Sequence, residues 1–130
     1  MSDFYIEKRI YYHDTDAGGV VYYGSYLEHL EEGRTEYLRS LGIDTAEYAR
    51  KGIIFPVVRL EIDYKKPALY GDTVRVFSRI EKVGNASVNI IQEVKRGEEA
   101  LVSARITWAC VNNSMKPVRV PEEIRNKIAV

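Results

Sequence analysis

The run Tyr11-Tyr12-His13-Asp14-Thr15-Asp16-Ala17-Gly18-Gly19-Val20-Val21-Tyr22-Tyr23-Gly24-Ser25-Tyr26 crowds two carboxylates and two adjacent glycines into one short connection. A carboxylate there can take a proton from water as a general base, or attack a carbonyl carbon directly. Glycines such as Gly18 and Gly19 let the backbone come close to a ligand. If a helix follows, the unpaired N–H groups of its first turn can hold a developing oxyanion. Asp16 is the acid placed for such chemistry. The same residues also suit a plain turn that sets an acid near a helix start, and Asp14 is read in that way, as a turn residue facing solvent. A calcium loop does not fit Asp-x-Asp here, because the later ligands and the closing Glu are missing.

Both flanks carry periodic patterns able to position the run. Ile6, Lys8, Ile10 and Tyr12 alternate with Tyr5, Glu7, Arg9 and Tyr11, which predicts a strand ending near Tyr12. Leu27, Leu30, Arg34, Tyr37 or Leu38, and Leu41 recur at helical spacing, predicting a long helix from about Gly24 to Leu41. Gly42 suits its C-terminal stop, and Asp44 or Thr45 can cap a shorter helix through Arg50. Period two returns at Val58, Leu60, Ile62 and Tyr64, then after Pro67 at Val74, Val76, Ser78 and Ile80. Gly84-Asn85 and Arg96-Gly97-Glu98 punctuate two more strands, Val88 to Lys95 and Ala100 to Val111. Pro121, Glu122 and Glu123 suggest a short terminal helix. The expected plan is one α+β domain over residues 1–130, with four hairpin-linked strands following the long helix. Apolar strand faces in excess of what one helix can cover imply burial against another subunit.

Nineteen basic and nineteen acidic residues cancel without forming blocks, which argues against nucleic acid as a partner. The single cysteine, Cys110, can make neither an internal disulfide nor a thiolate metal site, and points to a reducing, cytoplasmic setting. No segment approaches the ~18 apolar residues of a membrane span, and the N-terminus lacks the apolar run of a signal peptide.

The run Asp14-Thr-Asp16-Ala-Gly-Gly-Val-Val-Tyr22-Tyr23, with Tyr26 and the helical Glu31-Glu-Gly-Arg34-Thr-Glu36, resembles the 4-hydroxybenzoyl-CoA thioesterase-like hotdog family. It is most similar to the acyl-CoA thioesterases often associated with bacterial Tol-Pal systems, and the tail Met115-Lys116-Pro117 shares the likeness. The resemblance implies a hotdog fold, a five-stranded antiparallel sheet wrapped around one long central helix. It implies hydrolysis of a small acyl-CoA by a homo-oligomer, dimeric or a tetramer of dimers, without cofactor or metal, and allows acyl carrier protein as a further partner. By position, Asp16 is the catalytic carboxylate, as general base or nucleophile, and the backbone N–H of Tyr23 polarises the thioester carbonyl. Relatives often carry His where Tyr23 stands, so no side-chain role transfers. Tyr12 matches a tyrosine beside the catalytic acid, where its hydroxyl can orient Asp16 or the bound acyl group; it equally suits an aromatic of the strand's core face. Gly19 and Tyr26 are expected at the substrate, and Arg59, Lys65 and Lys66 offer charge for the phosphates of CoA. Tyr64, Phe55 and Trp108 are candidates for an acyl pocket, whereas His13 and His29 read as structural. The competing reading is a hotdog module that binds acyl-CoA or acyl carrier protein without hydrolysing the thioester.

Overall fold

The computed structural model describes residues 4–128. Strand β1 (Tyr5–Arg9) leads into a 3-10 turn at Tyr12–Asp14 and then the long helix α1 (Tyr23–Ser40). After α2 (Thr45–Arg50) and the two-residue β2 (Ile53–Ile54) come β3 (Val57–Tyr64), β4 (Thr73–Val83), β5 (Ser87–Arg96) and β6 (Glu99–Ala109). The short β7 (Val111–Asn112) and α3 (Glu122–Lys127) complete the chain.

The five long strands form one antiparallel sheet in the order β1-β4-β5-β6-β3, and β2 pairs with β7 apart from it. Hairpin linkage therefore holds for β4-β5-β6 but not for β3. Both edges of β4 are taken, by β1 and β5, so residues 65–72 carry the chain from edge strand β3 past β6 and β5 to the interior strand β4. Pro67 within that crossing lacks the N–H that a continuing strand needs.

Period-two burial on β4 and β5 follows the sequence pattern. Val74, Val76, Ser78 and Ile80 are buried on β4, and Val88, Ile90, Gln92 and Val94 on β5. They pack against Tyr26, His29, Leu30, Gly33, Arg34 and Leu38, the inward stripe of α1. Gly33 permits the close approach, because a Cβ there would stand 2.8 Å from Val76 Cγ1. At the helix end Gly42 adopts φ +78, and the Ile43 N–H returns to the Leu38 carbonyl at 2.9 Å, closing α1. Asp44 caps α2 by accepting from the Ala46 N–H at 3.0 Å.

Edge strand β3 behaves differently from its period-two pattern. Its bonds run to β6 on one side only, a bulge interrupts them between Val57 and Arg59, and just Ile62 is half-buried. Val58 and Tyr64 remain 61% and 46% exposed. Among the described residues, no helix is long and apolar enough to cross a membrane.

Candidate active site at the first turn of the long helix

A folded-back loop carries Asp16. Bridge pairing of Thr15 with Val21 closes its neck, and the Asp16 N–H reaches the Val20 carbonyl at 3.0 Å. The Gly19 N–H returns to the Asp16 carbonyl at 3.1 Å, with Gly19 at φ +79. At the exposed tip, the Gly18 N–H donates to Asp16 Oδ1 at 2.8 Å. Among the described residues that single bond orients the carboxylate and leaves Oδ2 open. The loop is stitched sideways to residues 67–71, through Val21 N–H to Ala68 O at 2.9 Å and the Val20–Leu69 bridge.

Directly after this loop α1 begins. Its N-cap, Tyr22, supplies no side-chain cap, and no acidic residue stands in the first turn. The Ser25 N–H already donates to the Tyr22 carbonyl at 2.9 Å, so the positive end of the helix dipole and the amides of Tyr23 and Gly24 are what is left for a ligand. Tyr64 secures this turn to β3 by donating its hydroxyl to the Tyr23 carbonyl at 3.2 Å, and its ring packs 5.6 Å from that of Tyr26. The buried Tyr26 hydroxyl in turn accepts from the Ala68 N–H at 2.9 Å. Burial raises the phenol pKa of both Tyr26 and Tyr64, so both rings act as neutral hydrogen-bonding walls at ordinary pH.

Asp16, Val20, Val21, Tyr23, Tyr26, Tyr64, Lys65, Lys66 and Pro67 line one open cleft of about 330 Å³. Of the residues expected at a substrate, Asp16, Tyr23, Tyr26, Lys65 and Lys66 thus share a wall. Lys66 is also paired with Glu99 at 2.7 Å, and that contact, with Arg96 beside it, holds the Glu99 carboxyl below its ordinary range.

Three expected residues stay outside this cleft. Tyr12 is 78% exposed, turned outward by the 3-10 turn and set edge-on to Tyr70 at 6.0 Å. Arg59 pairs with Glu61 at 3.0 Å on the outer strand, and Gly19 lies at the loop's tip rather than in its wall. Phe55 and Trp108 line a separate cleft of about 260 Å³ with Arg34 and Val57, so only Tyr64 of the three acyl-pocket candidates meets Asp16. Glu31 and Arg34 do not pair along the helix: Glu31 accepts from Thr35 at 2.8 Å, and Arg34 turns inward to Gln92. Asp14 is not solvent-facing but 4% exposed, because the 3-10 turn folds it inward beneath the loop.

The profile of the thioesterase-like superfamily matches residues 11–128 of this sequence, which takes in the Asp16 loop, α1 and the whole meander. The chain belongs to that superfamily. Acyl-CoA thioesterase YbgC of Haemophilus influenzae is 38% identical over 124 residues, covering 94% of this chain and 91% of the relative. Acyl-CoA thioester hydrolase YbgC of Escherichia coli O6:H1 is 33% identical over 118 residues, covering 89% and 88%. Among solved structures, a DHNA-CoA thioesterase from Staphylococcus aureus superposes with a TM-score of 0.88 at 28% identity, over 95% of this chain and 89% of that one. Similarity of fold extends to the hotdog arrangement of sheet and central helix. In this superfamily member the site residues that sequence reading passed over are Val20, Val21 and Pro67, apolar neighbours whose place in the wall follows from the loop's pairing with residues 67–71.

Proposed function

We propose that this chain hydrolyses acyl-CoA thioesters to a free acid and CoA in the cleft between the Asp16 loop and α1. What carries the reading is that a carboxylate with one open oxygen and an uncapped helix N-terminus line the same cleft. Asp16 activates water, or adds to the carbonyl carbon to give a mixed anhydride that water then opens. Negative charge developing on the carbonyl oxygen is taken by the Tyr23 N–H and the helix dipole. The carbon–sulfur bond breaks, the CoA thiolate leaves and takes up a proton, and the acid carries the new carbon–oxygen bond. Lys65 and Lys66 at the cleft's rim suit the CoA phosphates. The relatives named as acyl-CoA thioesterases support the substrate class.

Thiol release from a panel of small acyl-CoAs, with an acyl-acyl carrier protein included, tests this. Steady turnover of at least one acyl-CoA is the expected result. Tight binding with no thiol released would favour the non-hydrolytic module instead.

Tyr23→Phe is expected to keep kcat within about threefold of the parent, because the working group is a backbone N–H that the substitution leaves in place. Its ring contacts with Tyr22 at 4.6 Å and Tyr64 at 6.5 Å survive, and the substitution removes only the Tyr23 hydroxyl's hydrogen bond with the Tyr22 phenol, which raises the Tyr22 pKa. A drop of ~100-fold without unfolding would instead give the phenol a direct part.

The chain is further proposed to work as a homo-oligomer, dimeric or a tetramer of dimers, joined along β3. Among the described residues this strand offers one unpaired hydrogen-bonding edge together with exposed Val57, Val58, Leu60 and Tyr64. Since Tyr64 belongs to both β3 and the cleft, assembly and turnover are expected to fall together in a Val58→Lys, Leu60→Lys variant. Sedimentation of the parent as a fully active monomer is the result that would refute this.

A further inference from the structure

Asp14 stands two residues from Asp16, yet the two carboxylates live in opposite surroundings. Asp16 is exposed at the loop tip, whereas Asp14 is 4% exposed beneath it. A buried carboxylate is costly unless it is held by donors or by positive charge. Among the described residues the Asp14 carboxylate has one such donor and one facing imidazole, its main-chain carbonyl takes a further bond, and each contact ends on a different part of the site's frame. The Tyr11 N–H donates to Asp14 Oδ2 at 2.9 Å, fixing the loop's entry. The Tyr22 N–H donates to the Asp14 carbonyl at 2.8 Å, fixing its exit one residue before α1. Asp14 Oδ1 faces His29 Nε2 at 3.4 Å, a contact to the second turn of α1 itself.

His29 is the unusual member. It is 5% exposed, and among the described residues neither ring nitrogen has a hydrogen-bond partner. Its neighbours in charge are Asp14, and Glu32 at 3.8 Å from Nδ1, but Glu32 is already engaged by Lys8 of β1 at 2.7 Å. The exposed His13 lies 3.8 Å from the same Asp14 oxygen. A buried imidazole with no full hydrogen bond is expensive to keep, and the acid it faces is the one that closes the loop.

We propose that Asp14 is a positioning residue for the thioesterase reaction, with His29 as its partner on α1. The pair sets the distance between the Asp16 carboxylate and the Tyr23 amide by holding the loop's entry, through the Asp14 side chain, against α1, while the main-chain bond from the Tyr22 N–H closes the exit on the same residue. The inference rests on the assignment of Asp16 as the attacking or activating acid. It predicts that loosening the pair misplaces the two halves of the site relative to each other without removing either.

The test uses the full-length oligomer with a turned-over acyl-CoA, at a temperature well below unfolding. Asp14→Ala, which removes the side-chain acceptor, is expected to lower kcat by about 10-fold or more while KM moves less than about threefold. Asp14→Asn keeps an acceptor for the Tyr11 N–H and should recover most of that loss. In the same way His29→Gln, which keeps a donor toward Asp14, should stay near the parent, and His29→Leu should follow Asp14→Ala. Combined with Asp16→Asn, Asp14→Ala should reduce kcat no further, since it acts through the group already removed. Lowered melting temperatures with parental kcat for Asp14→Ala and His29→Leu would overturn the proposal, leaving the Asp16 assignment intact. So would losses that multiply in the double variant. Near-parental turnover of Asp16→Asn alone would remove the Asp16 assignment and this inference together.

Discussion

Asp16→Asn is expected to lower kcat for acyl-CoA hydrolysis by at least ~100-fold while substrate binding and melting temperature hardly change, the size general-base catalysis typically contributes. The structure makes this substitution unusually clean. Among the described residues, Asp16's side chain makes one hydrogen bond, accepting from the Gly18 N–H at 2.8 Å, and an asparagine Oδ1 accepts it equally well. The loop's remaining bonds, Asp16 N–H to Val20 O and Gly19 N–H to Asp16 O, are main-chain and indifferent to the side chain. What is lost is the negative charge, and with it both the general base and the nucleophile. The measurement is a kcat and KM determination by thiol release, set beside thermal unfolding. Turnover near the parent rate would make Asp16 a turn residue and nothing more.

The chemistry-bearing loop was legible in the sequence because its residue types are improbable as anything but a tight connection into a helix, and α1 begins at Tyr23, one residue from the reading. Strand β4 and strand β5 were equally legible, since each buries alternate residues against α1. Strand β3 was legible as a strand but not in its pairing, because adjacency along the chain suggested a hairpin to β4, whereas pairing is decided by which edges remain free. Its two sides are both exposed in the single chain, so period two there reported a strand without reporting a core. Asp14 and Asp16 could not be told apart by burial, for a 3-10 turn of three residues has no periodicity to read. The hotdog resemblance placed Tyr12 beside the acid, but the same turn sends it outward. Gln92 was visible only as a polar residue at an inward position of β5. Its partner lies 58 residues away, beyond any local pattern.

That partner makes the second large expectation: Gln92→Leu should destabilise the fold by about 3 kcal/mol, because it strands a buried charge. Arg34 is 8% exposed and donates from Nη1 to Gln92 Oε1 at 3.1 Å, while among the described residues its buried Nε has no partner. Gln92 Nε2 donates in turn to the Leu30 carbonyl at 2.9 Å and to Ser78 Oγ at 2.8 Å, tying α1 to β4 and β5 at once. Burial already lowers the pKa of the Arg34 guanidinium, opposed by nearby Glu31, so solvent at the cleft that Arg34 borders compensates only in part for a lost acceptor. Leucine fills most of the space of Gln92 but accepts nothing, and for a domain of this size the loss corresponds to a fall of roughly 10 °C in Tm. Arg34→Met removes the charge together with its need for a partner. The double variant Arg34→Met, Gln92→Leu is therefore expected to be more stable than Gln92→Leu alone, as when apolar groups replace a buried polar pair. Urea unfolding of the four proteins decides it. If Gln92→Leu unfolds within about 0.5 kcal/mol of the parent, the range of ordinary surface substitutions, the Arg34 charge must reach solvent or another acceptor, and Gln92 is then a packing residue.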